Sequence, residues 1–129
     1  RLKILLDTCA FIWVVSGSEL LSVAARDAFV SPANDVYLSA ASVWEVSVKW
    51  RLGRLPLPEA PDRLIPRLRA DHGILPLPIA EEACLQELRL PDLHRDPFDR
   101  MLVCQAIAEG MVLLTPDELI RQYPVRSLW

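Results

Sequence analysis

Leu2-Lys3-Ile4-Leu5-Leu6-Asp7-Thr8 decides how the rest of the chain is read. A short apolar run of this kind suits a strand buried on both faces, as parallel strands are, and Asp7-Thr8 supplies side chains that cap a following helix. Asp7 is thereby placed at the carboxyl end of a strand. Further along, Leu20, Leu21, Ala24, Ala25 and Ala28 recur at helical spacing from Ser18 and stop at Ser31-Pro32-Ala33-Asn34, after which Val36-Tyr37-Leu38 reads as a second strand. Residues 39–52 read as a helix, with Ser39 or Ser42 as N-cap and Gly53 as its stop. Beyond the turn at Pro56 and Pro58, residues 62–72 form a helix with Pro66 near its start and Gly73 at its end. Residues 74–77 are expected as a short strand and 79–88 as a helix turning Ala83, Cys84, Leu85 and Leu88 to the core. After a loop over 89–94, Asp96 or Pro97 opens a helix that runs to Gly110, followed by a strand over 111–114, a short helix over 116–123 and an end strand over 125–128. Strands alternating with helices predict an α/β chain, a three-layer α/β/α sandwich with a short, mostly parallel central sheet, in one domain spanning 1–129.

A chain of 129 residues buries about 68% of its unfolded surface in one core without staples. With 52% apolar and 24% charged residues and 4 glycines, it has the composition of a globular protein rather than a disordered or fibrous one. The net charge of −3 gives no general attraction to a polyanion, so any nucleic acid must be drawn by metal or by local basic patches. Cys9, Cys84 and Cys104 lack CxxC spacing and sit among apolar neighbours, as expected of buried thiols in a reducing cytoplasm. With only two histidines, His72 and His94, nitrogen and sulfur ligands are too scarce for a transition-metal centre. No signal-peptide pattern or membrane-length apolar stretch is present, so an intracellular protein is expected. The chain opens at Arg1, and a native start is expected to have been cut away or replaced.

Five acids stand at predicted element ends: Asp7, Glu45 in Ser42-Val43-Trp44-Glu45, Asp96 and Asp99 in His94-Arg95-Asp96-Pro97-Phe98-Asp99-Arg100, and Asp117 after Leu114-Thr115-Pro116. Each has an ordinary reading as a cap. Asp96-Pro97 suits an N-cap with proline at N1, and Ser42-x-x-Glu45 and Thr115-x-x-Glu118 fit capping boxes. Strand ends in an α/β fold converge on one crevice, however. Two carboxylates about 4 Å apart repel by ~4 kcal/mol at an effective dielectric of 20, so a gathering of them calls for a divalent cation or raised pKa values. Hard oxygen ligands and an in-line attack by water on phosphorus are the logic of a metal-dependent nuclease.

These residues resemble the PIN domain, and within it the VapC-like toxins of bacterial toxin–antitoxin pairs. The likeness covers nearly the whole chain: Leu5-Leu6-Asp7-Thr8, Ser39 to Glu45 with Lys49 and Gly53-Arg54-Leu55, His94 to Leu102 with Gln105-Ala106, and Leu114-Thr115-Pro116-Asp117, the third block being the most specific. The resemblance implies an endoribonuclease dependent on Mg2+ or Mn2+, cytoplasmic, homodimeric and inhibited by a small antitoxin whose arginine-bearing tail neutralises the acidic pocket. Carried over, Asp7, Glu45 and Asp99 match the family's three core acids and Asp117 a weaker fourth, while Asp96, a subfamily feature, either caps its helix or binds through water. Thr8 and Thr115 sit beside acids, where each either caps a helix or hydrogen-bonds a carboxylate or metal-bound water. Cys9 stands where the subfamily often has a histidine.

Lys49, Arg51, Arg54, Arg95 and Arg100 are the candidate phosphate contacts, with Arg100, beside Asp99, favoured; it could equally pair with an acid. Trp13, Trp44, Trp50 and Trp129 offer faces for bases, though Trp44 at helical spacing fits the core or a partner interface better. The helices at Ser18 and after Ser39 are expected to present apolar surface to an amphipathic antitoxin helix. Two other classes remain in view. One is a catalytically silent interaction domain of the same fold. The other is a receiver-type phosphoacceptor switch, which wants adjacent acids after the first strand and a late lysine, whereas the only lysines here are Lys3 and Lys49.

Overall fold

The computed structural model describes residues 1–129. Lys3–Leu6 forms β1, the middle strand of a five-stranded sheet, with β2 (Asp35–Ser39) on one side and β4 (Val112–Leu114) on the other. The order is β3-β2-β1-β4-β5, where β3 is Leu75–Leu77 and β5 is Ser127–Leu128, and all four pairings are parallel. The expected mostly parallel sheet is thus wholly parallel.

Because successive side chains on a strand point to opposite faces, the run Ile4-Leu5-Leu6 serves two cores. Ile4 and Leu6 pack with Phe11 and Val14 of α1 (Thr8–Ser16), Ala25 and Ala28 of α2 (Val23–Val30), Val46 of α3 (Ala40–Arg51) and Leu64, Ile65 and Leu68 of α4 (Pro61–His72). Leu5 faces the other way, toward Ala83 of α5 (Glu81–Gln86) and Leu102, Val103 and Ala106 of α6 (Pro97–Glu109). Helices therefore cover both faces, as the three-layer reading requires. Gln105, buried on α6, accepts from Ser39 Oγ and donates to the Pro78 carbonyl, so α6 is pinned to the carboxyl ends of β2 and β3.

Local chemistry sets the helix ends. Asp7 caps α1, Ser39 caps α3 and Asp96 caps α6, each through a backbone N–H of the first turn. Gly110, at φ 66°, closes α6 in a left-handed conformation that favours glycine, and Met111 then enters β4. With Ser39 as the cap, Ser42 lies inside α3 and the Ser42-Glu45 capping box does not form, which leaves Glu45 available for other work.

Three sequence expectations are corrected. The helix over 116–123 is a single 3-10 turn at Ile120–Gln122, because Pro116 and Pro124 bracket a segment too short to repay the ordering of a full helix. The helix over 79–88 shortens to α5 followed by a 3-10 turn at Glu87–Arg89. Of its four expected core residues only Ala83 is buried; Leu85 and Leu88 are 57% and 84% exposed. Cys9 and Cys84 are exposed, and Cys104 alone is a buried thiol.

Candidate metal centre

The carboxyl ends of β1, β2 and β4 meet the first turns of α1, α3 and α6 at an open crevice of about 440 Å³. Five carboxylates line it, those of Asp7, Glu45, Asp96, Asp99 and Asp117, with Lys49 as the single cation. All four acids expected as catalytic residues, and Asp96 with them, are brought to one place from segments more than a hundred positions apart.

Asp7 is the most deeply set, only 3% exposed. Its Oδ1 accepts from the Ala10 N–H at 2.6 Å as the α1 cap, and its Oδ2 accepts from the Thr115 hydroxyl at 2.5 Å. Its own N–H donates to the Leu114 carbonyl at 3.1 Å, so backbone and side chain both tie the end of β1 to the end of β4. Burial pushes the Asp7 carboxyl up to about 6, against the lowering effect of those two hydrogen bonds, and repulsion from Asp117 and Glu45 adds to the rise.

Glu45, in the second turn of α3, is held by Thr8, whose hydroxyl donates to Oε1 at 2.7 Å and lies 3.0 Å from the Ser42 hydroxyl. Its Oε2 takes the Lys49 ammonium at 2.5 Å, one turn along the same helix. Asp99 sits in the first turn of α6, where burial pushes it up to about 7; Asp96 raises it further, His94 lowers it, and Glu45 and Asp7 raise it. Asp96 uses Oδ1 to cap the Phe98 and Asp99 N–H groups at 2.8 and 3.4 Å, so the capping alternative is realised, and its side chain still faces the crevice. Asp117 accepts from the Leu119 and Ile120 N–H groups through Oδ1 and turns Oδ2 to His94 Nε2, 3.1 Å away.

Both threonines bond to carboxylates. Thr115 does so while accepting from the Asp117 N–H at 3.1 Å, which forms a chain from Asp117 through Thr115 to Asp7. Lys49 lines the crevice with its charge already paired to Glu45. Arg100 is not brought there. Its guanidinium donates to Glu87, the Pro91 and His94 carbonyls and the Tyr123 hydroxyl, and so braces the 87–94 segment from behind. Trp44 is 63% exposed rather than in the core and meets Phe98 edge-on at 5.2 Å.

Two residues at the site have no role assigned from sequence, Cys9, noted only as a departure from the subfamily, and His94. Cys9 opens onto the crevice, where partial burial, then Asp7, Asp99, Glu45 and Asp117, push its thiol up to about 11 and keep it protonated. His94 places Nε2 3.2 Å from Asp99 Oδ2 as well as 3.1 Å from Asp117. It stands two residues before Asp96 in the most informative motif of the chain, but its contact with Asp117 spans 23 positions and no local spacing announces it.

The donor set suits a hard divalent ion. Asp7, buried, and Asp99, partly buried, are pushed up to about 6 and 7 beside further carboxylates with Lys49 as the one cation of the lining, a crowding of acids that a hard divalent ion with oxygen ligands would relieve.

The sequence profile of the PIN domain matches residues 4–125. The chain is similar to Ribonuclease VapC16 of Mycobacterium tuberculosis (strain ATCC 25618 / H37Rv), at 41% identity over 46 residues, which is 36% of this chain and spans only 33% of that relative's length. Among solved structures, the fold is shared with a DNA-bound VapBC from Salmonella typhimurium (TM-score 0.68, 17% identity, 99% of this chain and 98% of that one). It is shared equally with a toxin–antitoxin complex from Klebsiella pneumoniae (TM-score 0.63, 16% identity, 98% and 96%). With the profile spanning almost every element of the sheet and the acids of the crevice lying within it, this chain belongs to the PIN domain family.

Proposed function

We propose that this chain is a metal-dependent endoribonuclease that hydrolyses phosphodiester bonds in RNA and is restrained by a small antitoxin protein. The observation that carries the reading is the convergence of Asp7, Glu45, Asp99 and Asp117 on one crevice, with Asp96 at its edge. Asp7, Glu45 and Asp99 would hold Mg2+ or Mn2+, with Asp117 and Asp96 completing the set. A bound ion of this type supplies the Lewis acidity that attack on a phosphodiester requires.

The side chains do the rest. Thr115 and Thr8 each donate to one oxygen of Asp7 and Glu45, whose other oxygens meet the Ala10 N–H and Lys49, and so fix how both carboxylates are turned. Lys49, the one cation of the lining and paired with Glu45, would be the residue to meet a substrate phosphate where Glu45 held the ion. Cys9, kept protonated, is no nucleophile, which leaves water in that role. Asp7 is followed by Thr8 rather than a second acid, and neither Lys3 nor Lys49 follows a late strand, which disfavours the receiver-type reading.

For the partner, an apolar groove of about 280 Å³ between α1, α4 and the Pro56–Pro58 turn, walled by Phe11, Ile12, Val15, Leu57, Leu64 and Leu68, supports docking of an amphipathic helix. Relatives solved as VapBC and toxin–antitoxin complexes support the same choice. A homodimer in the cytoplasm completes the proposal, consistent with no helix being long and apolar enough to cross a membrane.

The test is RNA cleavage with magnesium or manganese present or chelated, with Asp7→Asn and Asp99→Asn as controls. Loss of cleavage on chelation and in both variants supports the reading; cleavage indifferent to either refutes it. The Lys49 ammonium already resting on Glu45 favours, as the second reading, a silent interaction domain, for which manganese titration of the purified chain would show no binding.

A further inference from the structure

Asp99 reaches the crevice from α6 and Asp117 from the turn after β4, two elements with no backbone bond between them at this point. One side chain spans the gap. His94 Nε2 lies 3.2 Å from Asp99 Oδ2 and 3.1 Å from Asp117 Oδ2, with the imidazole largely enclosed. These three donor atoms lie within 4.8 Å of one another, close enough to look like a metal triad.

The other ring nitrogen argues against that. The Asp96 N–H donates to His94 Nδ1 at 3.1 Å, so Nδ1 must offer a lone pair. The ring proton is then on Nε2, the nitrogen facing the two carboxylates, and a protonated nitrogen has no lone pair for a cation. The same backbone that caps α6 therefore selects the tautomer. The residue is also fixed by its main chain: its N–H donates to the Tyr123 hydroxyl at 2.7 Å and its carbonyl accepts from Arg100 Nη1 at 3.3 Å.

We infer that His94 is a positioning residue of the metal centre, whose Nε2–H clamps Asp99 and Asp117 together across the crevice mouth while leaving the ion an all-oxygen cage. Asp99 keeps its second oxygen for the ion, whereas Asp117 Oδ1 also accepts from the Leu119 and Ile120 N–H groups, which makes Asp117 the weaker member of the cage. The clamp stops Asp117, the most exposed of the cage acids that it touches, from swinging to solvent. This rests on the metal-centre reading proposed above.

The experiment has two arms on the full chain. Nitrogen-15 NMR of the unaltered protein reads the tautomer directly, and a proton on Nε2 with Nδ1 bare is the expected result. Manganese and magnesium affinities are then measured for wild type, His94→Phe and His94→Gln, the last keeping an N–H donor near the Nε2 position. Loss of a group that orients metal ligands weakens binding about 10–100-fold, so His94→Phe should lose at least about tenfold for both ions alike, and His94→Gln should stay within about threefold of wild type. A proton on Nδ1, wild-type affinity in His94→Phe, or a loss confined to manganese, as a nitrogen ligand would give, overturns the inference. The backbone bonds of residue 94 survive both substitutions, and the tautomer arm decides even if His94→Phe fails to fold. Wild-type protein that binds neither ion sinks the metal centre itself, whereas normal ion binding with the wrong tautomer sinks only the clamp.

Discussion

The Thr115 hydroxyl donates to Asp7 Oδ2 at 2.5 Å, joining residues 108 positions apart, and the same oxygen accepts from the Asp117 N–H. Thr115→Val keeps the shape but strips both bonds. It should destabilise the protein by about 1–3 kcal/mol, the usual range for a buried polar group left unpaired. It should also move the Asp7 carboxyl above about 6, since a bond that lowers it is gone. Urea melts and a carboxyl NMR titration check the pair; an unmoved Asp7 would show that Thr115 does not govern it.

The metal-free protein should weaken as pH rises. Burial, first among the causes, holds Asp7 at about 6 and Asp99 at about 7, against an ordinary value of 3.8. The folded chain therefore retains protons that the unfolded chain releases. Stability from these groups is fully present below about 3.8 and is lost as pH climbs through 6 and 7. In chelator, a fall of about 4 kcal/mol between pH 5 and 8 is expected from urea midpoints. Magnesium should offset more of it at pH 8 than at pH 5.

Asp99→Asn separates stability from function. Removing a buried charge crowded by Asp96, Glu45 and Asp7 should raise the urea midpoint at pH 8 in chelator and flatten the pH trend. Cleavage of RNA should drop by at least about a hundredfold. A variant that cuts RNA normally would remove Asp99 from the cage.

Arg100→Ala should act on the fold rather than on substrate. Its donors hold Glu87, two carbonyls and Tyr123, and the guanidinium is 11% exposed. A loss of about 1–3 kcal/mol in thermal or urea melts is expected. KM for RNA should change much less than for Lys49→Met. Lysine at position 100 should not restore stability, because a point charge cannot reproduce the fork.

Cys9 should alkylate slowly. Its thiol stands at about 11, so little thiolate is present at pH 8. Timed mass spectrometry should find Cys84, exposed and away from the crevice, modified first, and Cys9→Ala should leave cleavage intact.

What could be read from residues alone was local. Ile4-Leu5-Leu6 declared a doubly buried strand because its composition leaves no polar face, and Asp96-Pro97 with Gly110 marked both ends of α6 through chemistry confined to a few positions. Asp7, Glu45, Asp99 and Asp117 followed because strand ends share an edge of a parallel sheet. Failures came where neighbours in space decide. Leu85 and Leu88 have helical spacing yet face solvent, since α5 ends at Gln86 and Leu88 falls in the 3-10 turn that follows. From sequence Thr115 is open between a helix cap and a carboxylate bond, and only its burial beside Asp7 decides for the second. His94 reads as one residue of a motif until the turn carrying Asp117 folds against it.

β1, the central strand, precedes the other four in sequence and is paired on one edge only until β4 fills the second. Asp7 meets Thr115, and Asp117 meets His94, only after β4 and the turn that follows it have been made. A chain that stops short of β4 thus lacks the Asp7–Thr115 and Asp117–His94 contacts. Chain connectivity postpones closure of the acidic crevice to the last stage of folding.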